Sequence, residues 1–175
     1  DEITIISNEE YEIYSKVINE ATFHTDKKQF VIEDLTYTAM QLSEDDCSYF
    51  KKQTGIELDN DLVNDFRDKN KNAYTLESKF FVPQKSVVVI SAQEAKDIFN
   101  NKRGCTENWD KFYNQYQNSN GLMRISRIGY NRNHDQGMLF LAHNVHCEGG
   151  EGLLIFLARE NDAWIIKAKI ALWYH

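Results

Sequence analysis

The last third of the chain alternates hydrophobic and polar positions in the manner of consecutive strands. Over residues 121–130, Leu122, Arg124, Ser126, Ile128 and Tyr130 fall on one face and Met123, Ile125, Arg127 and Gly129 on the other, so both faces are mixed. The polar run 131–137 is turn chemistry, and residues 138–146 are then apolar on both faces until His143, Asn144 and His146 interrupt. A glycine-rich turn is expected over 147–152, its glycines at positive φ. Residues 153–158 are again apolar on both faces, which is the pattern of an interior strand covered from two sides. In the last strand Trp164, Ile166, Ala168, Ile170, Leu172 and Tyr174 share a face, with Lys167 and Lys169 on the other, as suits a strand near a sheet edge. Connections this short predict a four-strand antiparallel meander over about 121–174.

The first two thirds predicts helices alternating with a few strands. Ser7 and Glu10 form a capping-box pattern, and Tyr11, Tyr14, Val17, Ile18 and Ala21 recur at helical spacing, so a helix is expected from about Asn8 to Ala21. Residues 30–37 are rich in β-branched and aromatic side chains and predict a strand, in which Glu33 and Asp34 need partners or water. A short helix over 43–53 should end at Gly55, and Leu58, Leu62 and Phe66 line another that closes near Asn70. Residues 79–82 and 86–90 are strand-like on either side of Pro83, and Ser91 with Glu94 starts a helix to about Asn100. Over 108–117, Trp109, Phe112, Tyr113 and Tyr116 make one aromatic stripe, which is core packing first and a sugar or peptide platform second.

These elements predict a single α+β domain over residues 1–175: an antiparallel sheet dominated by the C-terminal meander, packed against helices from the N-terminal half. The curved, helix-backed sheet of nuclear-transport-factor-like or cystatin-like proteins fits by fold analogy. A net charge of −7 argues against phosphate-backbone binding, and no apolar run approaches the length of a membrane span, about 20 residues. The first residue is Asp1, for which a removed export signal is one explanation. Cys47, Cys105 and Cys147 allow at most one internal disulfide; a Cys105–Cys147 bridge is one reading and three reduced thiols the other.

Several segments carry a resemblance. Tyr14 to Asn19 (Tyr-Ser-Lys-Val-Ile-Asn), Phe30 to Thr36, Asp65 to Asn70 (Asp-Phe-Arg-Asp-Lys-Asn), Trp109 with Phe112, the segment Gly121 to Asn131, Gly150-Glu151-Gly152, and Trp164 with Trp173 resemble, in order and spacing, a group of uncharacterised, mostly exported bacterial proteins. The resemblance implies export and an α+β domain, with no activity to carry over. The loop 143–148 departs from it in being richer in ligand-type residues.

The chemical candidates are few. His143, His146, Cys147 and Glu148 are metal-ligand types, but strand alternation sends the two histidines to opposite faces, so turn residues and a partly buried histidine on a backbone hydrogen bond are the plainer expectation. His24, His134 and His175 lie far off in sequence. Glu148 to Gly152 looks like a phosphate cradle, yet a strand follows it rather than a helix, and no cofactor is expected. Arg124 and Arg127 stand out because guanidinium groups on an apolar strand must find partners. They face opposite ways, and the expectation is one surface arginine and one structural ion pair with Glu33 or Asp34, or else an anion-binding arginine beside Tyr130 or His143. With no coherent catalytic set and 13% aromatic residues, the leading expectation is a non-catalytic exported domain that binds a small molecule or a protein. Arg124, Arg127, Tyr130, His143 and His146 are its candidate contacts. The alternative is a metal-assisted or hydrolase-like enzyme using the loop 143–148, with Arg127 holding an anion.

Overall fold

The computed structural model describes residues 5–21 and 26–174. Helix α1 spans Asn8–Ala21 as its cap predicts: Glu10 N–H donates to Ser7 Oγ at 3.1 Å, and Ser7 N–H donates to the Glu10 carboxylate at 2.8 Å. Strand β1 (Gln29–Glu33) is followed by α2 (Glu44–Thr54), closed by Gly55 at φ 74°, and by α3 (Asn60–Lys69). Then come β2 (Ser86–Ile90), α4 (Ala92–Ile98) and α5 (Cys105–Gln115). The remainder is β3 (Ser119–Ile125), β4 (Gly129–Tyr130), β5 (Gln136–His146), β6 (Gly149–Glu160) and β7 (Ala163–Tyr174).

The strands form one sheet in the order β2-β1-β3-β5-β6-β7, with β4 paired to β5. It is mixed, not antiparallel throughout: β1 runs parallel to both β2 and β3, whereas the pairs from β3 to β7 are antiparallel. The cause lies in the connections. Helices separate β1 from β2 and β2 from β3, and helical crossovers return the chain in the same direction, whereas the short turns after β5 and β6 reverse it.

Both faces of the sheet are covered by protein. On one face Ile32, Met123, Ile125, Leu139, Leu141, Leu153 and Ile155 pack against Ile13, Tyr14, Val17 and Ile18 of α1, with Leu76 and Val82 of the α3–β2 connection. On the other, Met138, Phe140, Leu154 and Phe156 meet Phe50 of α2 and Leu62 and Phe66 of α3, while Val31 and Leu122 meet Ile98 of α4 and Trp109 and Phe112 of α5. The two-sided apolar pattern of β5 and β6 is thereby explained, and the aromatic stripe is core. The sheet is thus packed against helices on both of its faces.

Several local expectations are corrected. Residues 79–82 form no strand beyond an isolated Val82–Lys85 bridge, and β1 stops at Glu33. The glycine-rich segment is not the turn; β6 begins at Gly149, and only Cys147 and Glu148 make the bend. Positive φ does not explain these glycines, since among the described residues only Gly55 and Gly121 adopt it as glycines. Close approach does: a Cβ on Gly150 would stand 2.7 Å from Asn144 Oδ1, and one on Gly152 would collide with the Trp173 indole. In β7 the register to β6 slips beside Lys167 and again beside Leu172. Trp164 and Ile166 therefore lie on the α1 face while Ala168, Ile170 and Leu172 lie on the α2 face, so the expected single face is split. As expected, β7 is an edge, and the bulges and lysines there hinder further strand pairing.

Candidate binding pocket at the sheet interruption

The strand expected over 121–130 is broken by Ser126, Arg127 and Ile128. Ile125 pairs with Leu141 and Gly129 with Met138, so three residues stand against two and the register slips by one. Most of the freed backbone groups find partners. Ser126 N–H donates to Phe140 O at 2.9 Å, and the Ser126 hydroxyl accepts Phe140 N–H at 2.8 Å in place of a ladder carbonyl. Tyr14 Oη donates to Ser126 O at 2.9 Å. The end of α3 holds the rest: Asn70 accepts Arg127 N–H at 2.8 Å and donates to Arg127 O at 3.2 Å, Lys69 Nζ donates to Ile128 O at 3.2 Å, and Asp65 accepts Tyr130 N–H at 2.7 Å. Gly129 has no side chain because the Phe66 backbone would lie 2.6 Å from its Cβ.

The slip turns Arg127 toward α1. Its Nε and Nη2 donate to the two Glu10 oxygens at 3.0 and 3.3 Å, and its guanidinium lies 4.6 Å from the Tyr74 ring centroid. Arg127 is 2% exposed and Glu10 4%, so this ion pair is inside the protein. Tyr130, 8% exposed, has the Lys69 ammonium 4.7 Å from its ring centroid and the His134 ring at 4.1 Å. Burial, together with the Glu10 and Glu9 charges, pushes its phenol far above the ordinary value, so it remains a neutral O–H donor. His134 Nε2 meets Glu9 Oε1 at 2.5 Å. Burial raises the Glu9 carboxyl, but His134, Trp164 and Arg159 outweigh it and the group sits below its usual value.

A cavity of about 610 Å³ opens here, lined by Glu10, Asp61, Asp65, Lys69, Arg127, Tyr130, Arg132 and His134, among others. Two of its lining groups are unusual. Among the described residues, neither Arg127 Nη1 nor Tyr130 Oη has a hydrogen-bond partner, although both are buried. Buried donors are nearly always satisfied, so a cavity whose lining includes two residues with unsatisfied donors is the strongest candidate site among the described residues.

The remaining candidates lie elsewhere. Arg124 is on the opposite face, paired at 2.5 Å with Glu33, one of the two partners expected for a single structural ion pair, so that both arginines are paired where one was expected to be; with exposed His146 it lines a smaller cavity beside Trp109. His143 is fully buried, bonded through Nε2 to Asn120 O, and burial lowers its pKa so that it is neutral at pH 7. Cys147 is bonded to Cys105, which removes it as a ligand or nucleophile, and Cys47 is the free cysteine. The loop 143–148 thus lacks the joint ligand set required by the enzyme alternative, and no cluster of three metal-ligating side chains occurs among the described residues. His24 and His175 lie outside the described residues. Glu10 and His134 join the pocket without having been singled out as site residues. Glu10 reads in the sequence as a helix cap, and His134 as a turn residue; nothing local marks either as facing Arg127 or Tyr130. No family model, curated protein or solved structure matches the chain.

Proposed function

We propose that the chain is a non-catalytic domain that binds a small molecule in the Arg127–Tyr130 cavity and works outside the cytoplasm. The observation that carries the binding reading is the cavity of about 610 Å³ whose lining includes Arg127 and Tyr130, each with a buried donor, Nη1 and Oη, that lacks a partner. Neither arginine is an open anion holder, because Glu10 takes up the Arg127 charge and Glu33 that of Arg124. The Cys105–Cys147 disulfide supports the compartment, since such bonds persist where thiols are not kept reduced.

A thermal-shift screen of wild type and Tyr130→Phe against a metabolite library tests the reading. A ligand at 100 times its dissociation constant adds about 2.7 kcal/mol of stability. At least one compound class should raise the wild-type midpoint and raise that of Tyr130→Phe clearly less. Without ligand, Tyr130→Phe should melt no lower than wild type, because the hydroxyl that it removes is buried and unsatisfied. A library that moves neither protein, or moves both equally, contradicts the proposal.

A further inference from the structure

We infer that the Cys105–Cys147 disulfide is an exchange site in the folded protein: a low-molecular-weight thiol adds to Cys147, and Cys105 leaves as the thiolate. The bond lies near the surface. Cys105 is exposed and Cys147 half-buried, and both line the cavity of about 320 Å³ beside Trp109. Exposed disulfides are the labile ones, since exchange requires an outside thiolate to reach a sulfur.

The two sulfurs are not equivalent. Cys105 is the first residue of the 11-residue helix α5, and the cap before it is Gly104, which has no side chain to bond the first turn. The first backbone bond of the helix runs from Asn108 N–H to Gly104 O, so the N–H groups of residues 105–107 have no acceptor within it and favour a negative charge at its start. Arg103, two residues before Cys105, donates to Asp97 O, Ile98 O and Asn108 Oδ1, all uncharged acceptors, so its positive charge acts in the same sense. Glu107, in the first turn, opposes it in part. Cys147 has no helix behind it. It lies in the two-residue bend between the paired His146 and Gly149, next to the exposed Glu148 carboxylate. A thiolate is therefore better held at Cys105, and the sulfur that leaves more readily directs the incoming thiol to its partner. The electron pair of the incoming thiolate forms the new bond to Cys147 Sγ, the pair of the old bond departs on Cys105 Sγ, and no further oxidant or reductant takes part.

Opening the bond is a local event. Helix α5 stays docked through Trp109 and Phe112, the Tyr113 hydroxyl donates to Val145 O two residues before Cys147, and β5 and β6 remain paired as far as His146 and Gly149. The freed Cys105 thiolate can then restore the bond by expelling the added thiol.

The test adds about one equivalent of reduced glutathione to the full oxidised chain near pH 8, without urea and at urea concentrations below the unfolding transition. Early samples are quenched with acid, free thiols are blocked, and peptide mass mapping locates the adduct, with Cys47 read separately. Glutathione should appear on Cys147 in roughly threefold excess over Cys105, at a rate unchanged by urea up to the transition. Glutathione divided equally between the two, or chiefly on Cys105, would overturn the inference. A rate that climbs from the first addition of urea, or no adduct in its absence, would overturn it as well, by showing that the bond opens only with the fold.

Discussion

Replacing Glu10 with leucine is expected to cost about 3–5 kcal/mol, because it strands the Arg127 guanidinium inside the protein without its counter-charge. The pair is 4% and 2% exposed, so solvent cannot take over the lost bonds. Domains of this kind have about 5–15 kcal/mol in total, and the single variant should therefore unfold at a far lower urea concentration than wild type. The double variant Glu10→Leu with Arg127→Met should recover most of the loss, since replacing both charges with apolar groups removes the desolvation penalty along with the attraction. Urea denaturation of the four proteins in the cycle measures the coupling directly. Equal destabilisation by the single and the double variant would show that Glu10 acts only as a helix cap.

Removing the disulfide is the second large effect. Cys105 opens α5 and Cys147 sits in the β5–β6 bend, 42 residues apart in sequence and with Cα atoms 5.8 Å apart, inside the range that a disulfide accepts. Closing a loop of that length removes unfolded-state entropy worth about 4 kcal/mol, so Cys105→Ser with Cys147→Ser should lose up to that amount. The helix keeps other anchors, Trp109 and Phe112 against Val31 and Leu122 and a Tyr113 hydroxyl donating to Val145 O at 2.7 Å, so the variant should still fold. Calorimetry of the oxidised protein, with and without reductant, checks the same quantity without a mutation. A midpoint indifferent to reductant would show that the two thiols are not joined.

The parts of this fold legible in the sequence are those with local causes. Helix α1 is one: Ser7 and Glu10 specify its start and the apolar spacing specifies its buried face. The C-terminal strands are another, because turns of two or a few residues permit only antiparallel return. What was not legible depends on distant pairing. Whether β1 lies parallel to β2 and β3 is decided by which way the intervening helices carry the chain, and residues 86–90 read the same in either direction. The slips at Ser126 to Ile128 and beside Lys167 were also hidden, since they are set by the partner strand and invert the alternation from which faces are read. For the site, the environment of Arg127 was readable as anomalous, a charge on a strand among apolar neighbours, but its partner was not. Glu33 was a reasonable expectation and went to Arg124, while Glu10, a hundred and more residues away, serves α1 as a cap and Arg127 as a counter-ion at once.

The resemblance segments have a physical meaning at this point, whatever their origin. Tyr14, the stretch Asp65 to Asn70 and the stretch Ser126 to Tyr130 all meet at the interruption, where each supplies a hydrogen bond that the broken strand needs. A network of this kind restrains the interruption, because most of the backbone groups there are used.

Binding in the cavity at the sheet interruption is tested most directly by a crystal structure of the oxidised chain with the strongest-shifting compound of the screen. The result expected is that compound seated against Lys69, Arg127 and Tyr130. A compound seated elsewhere on the chain would contradict it.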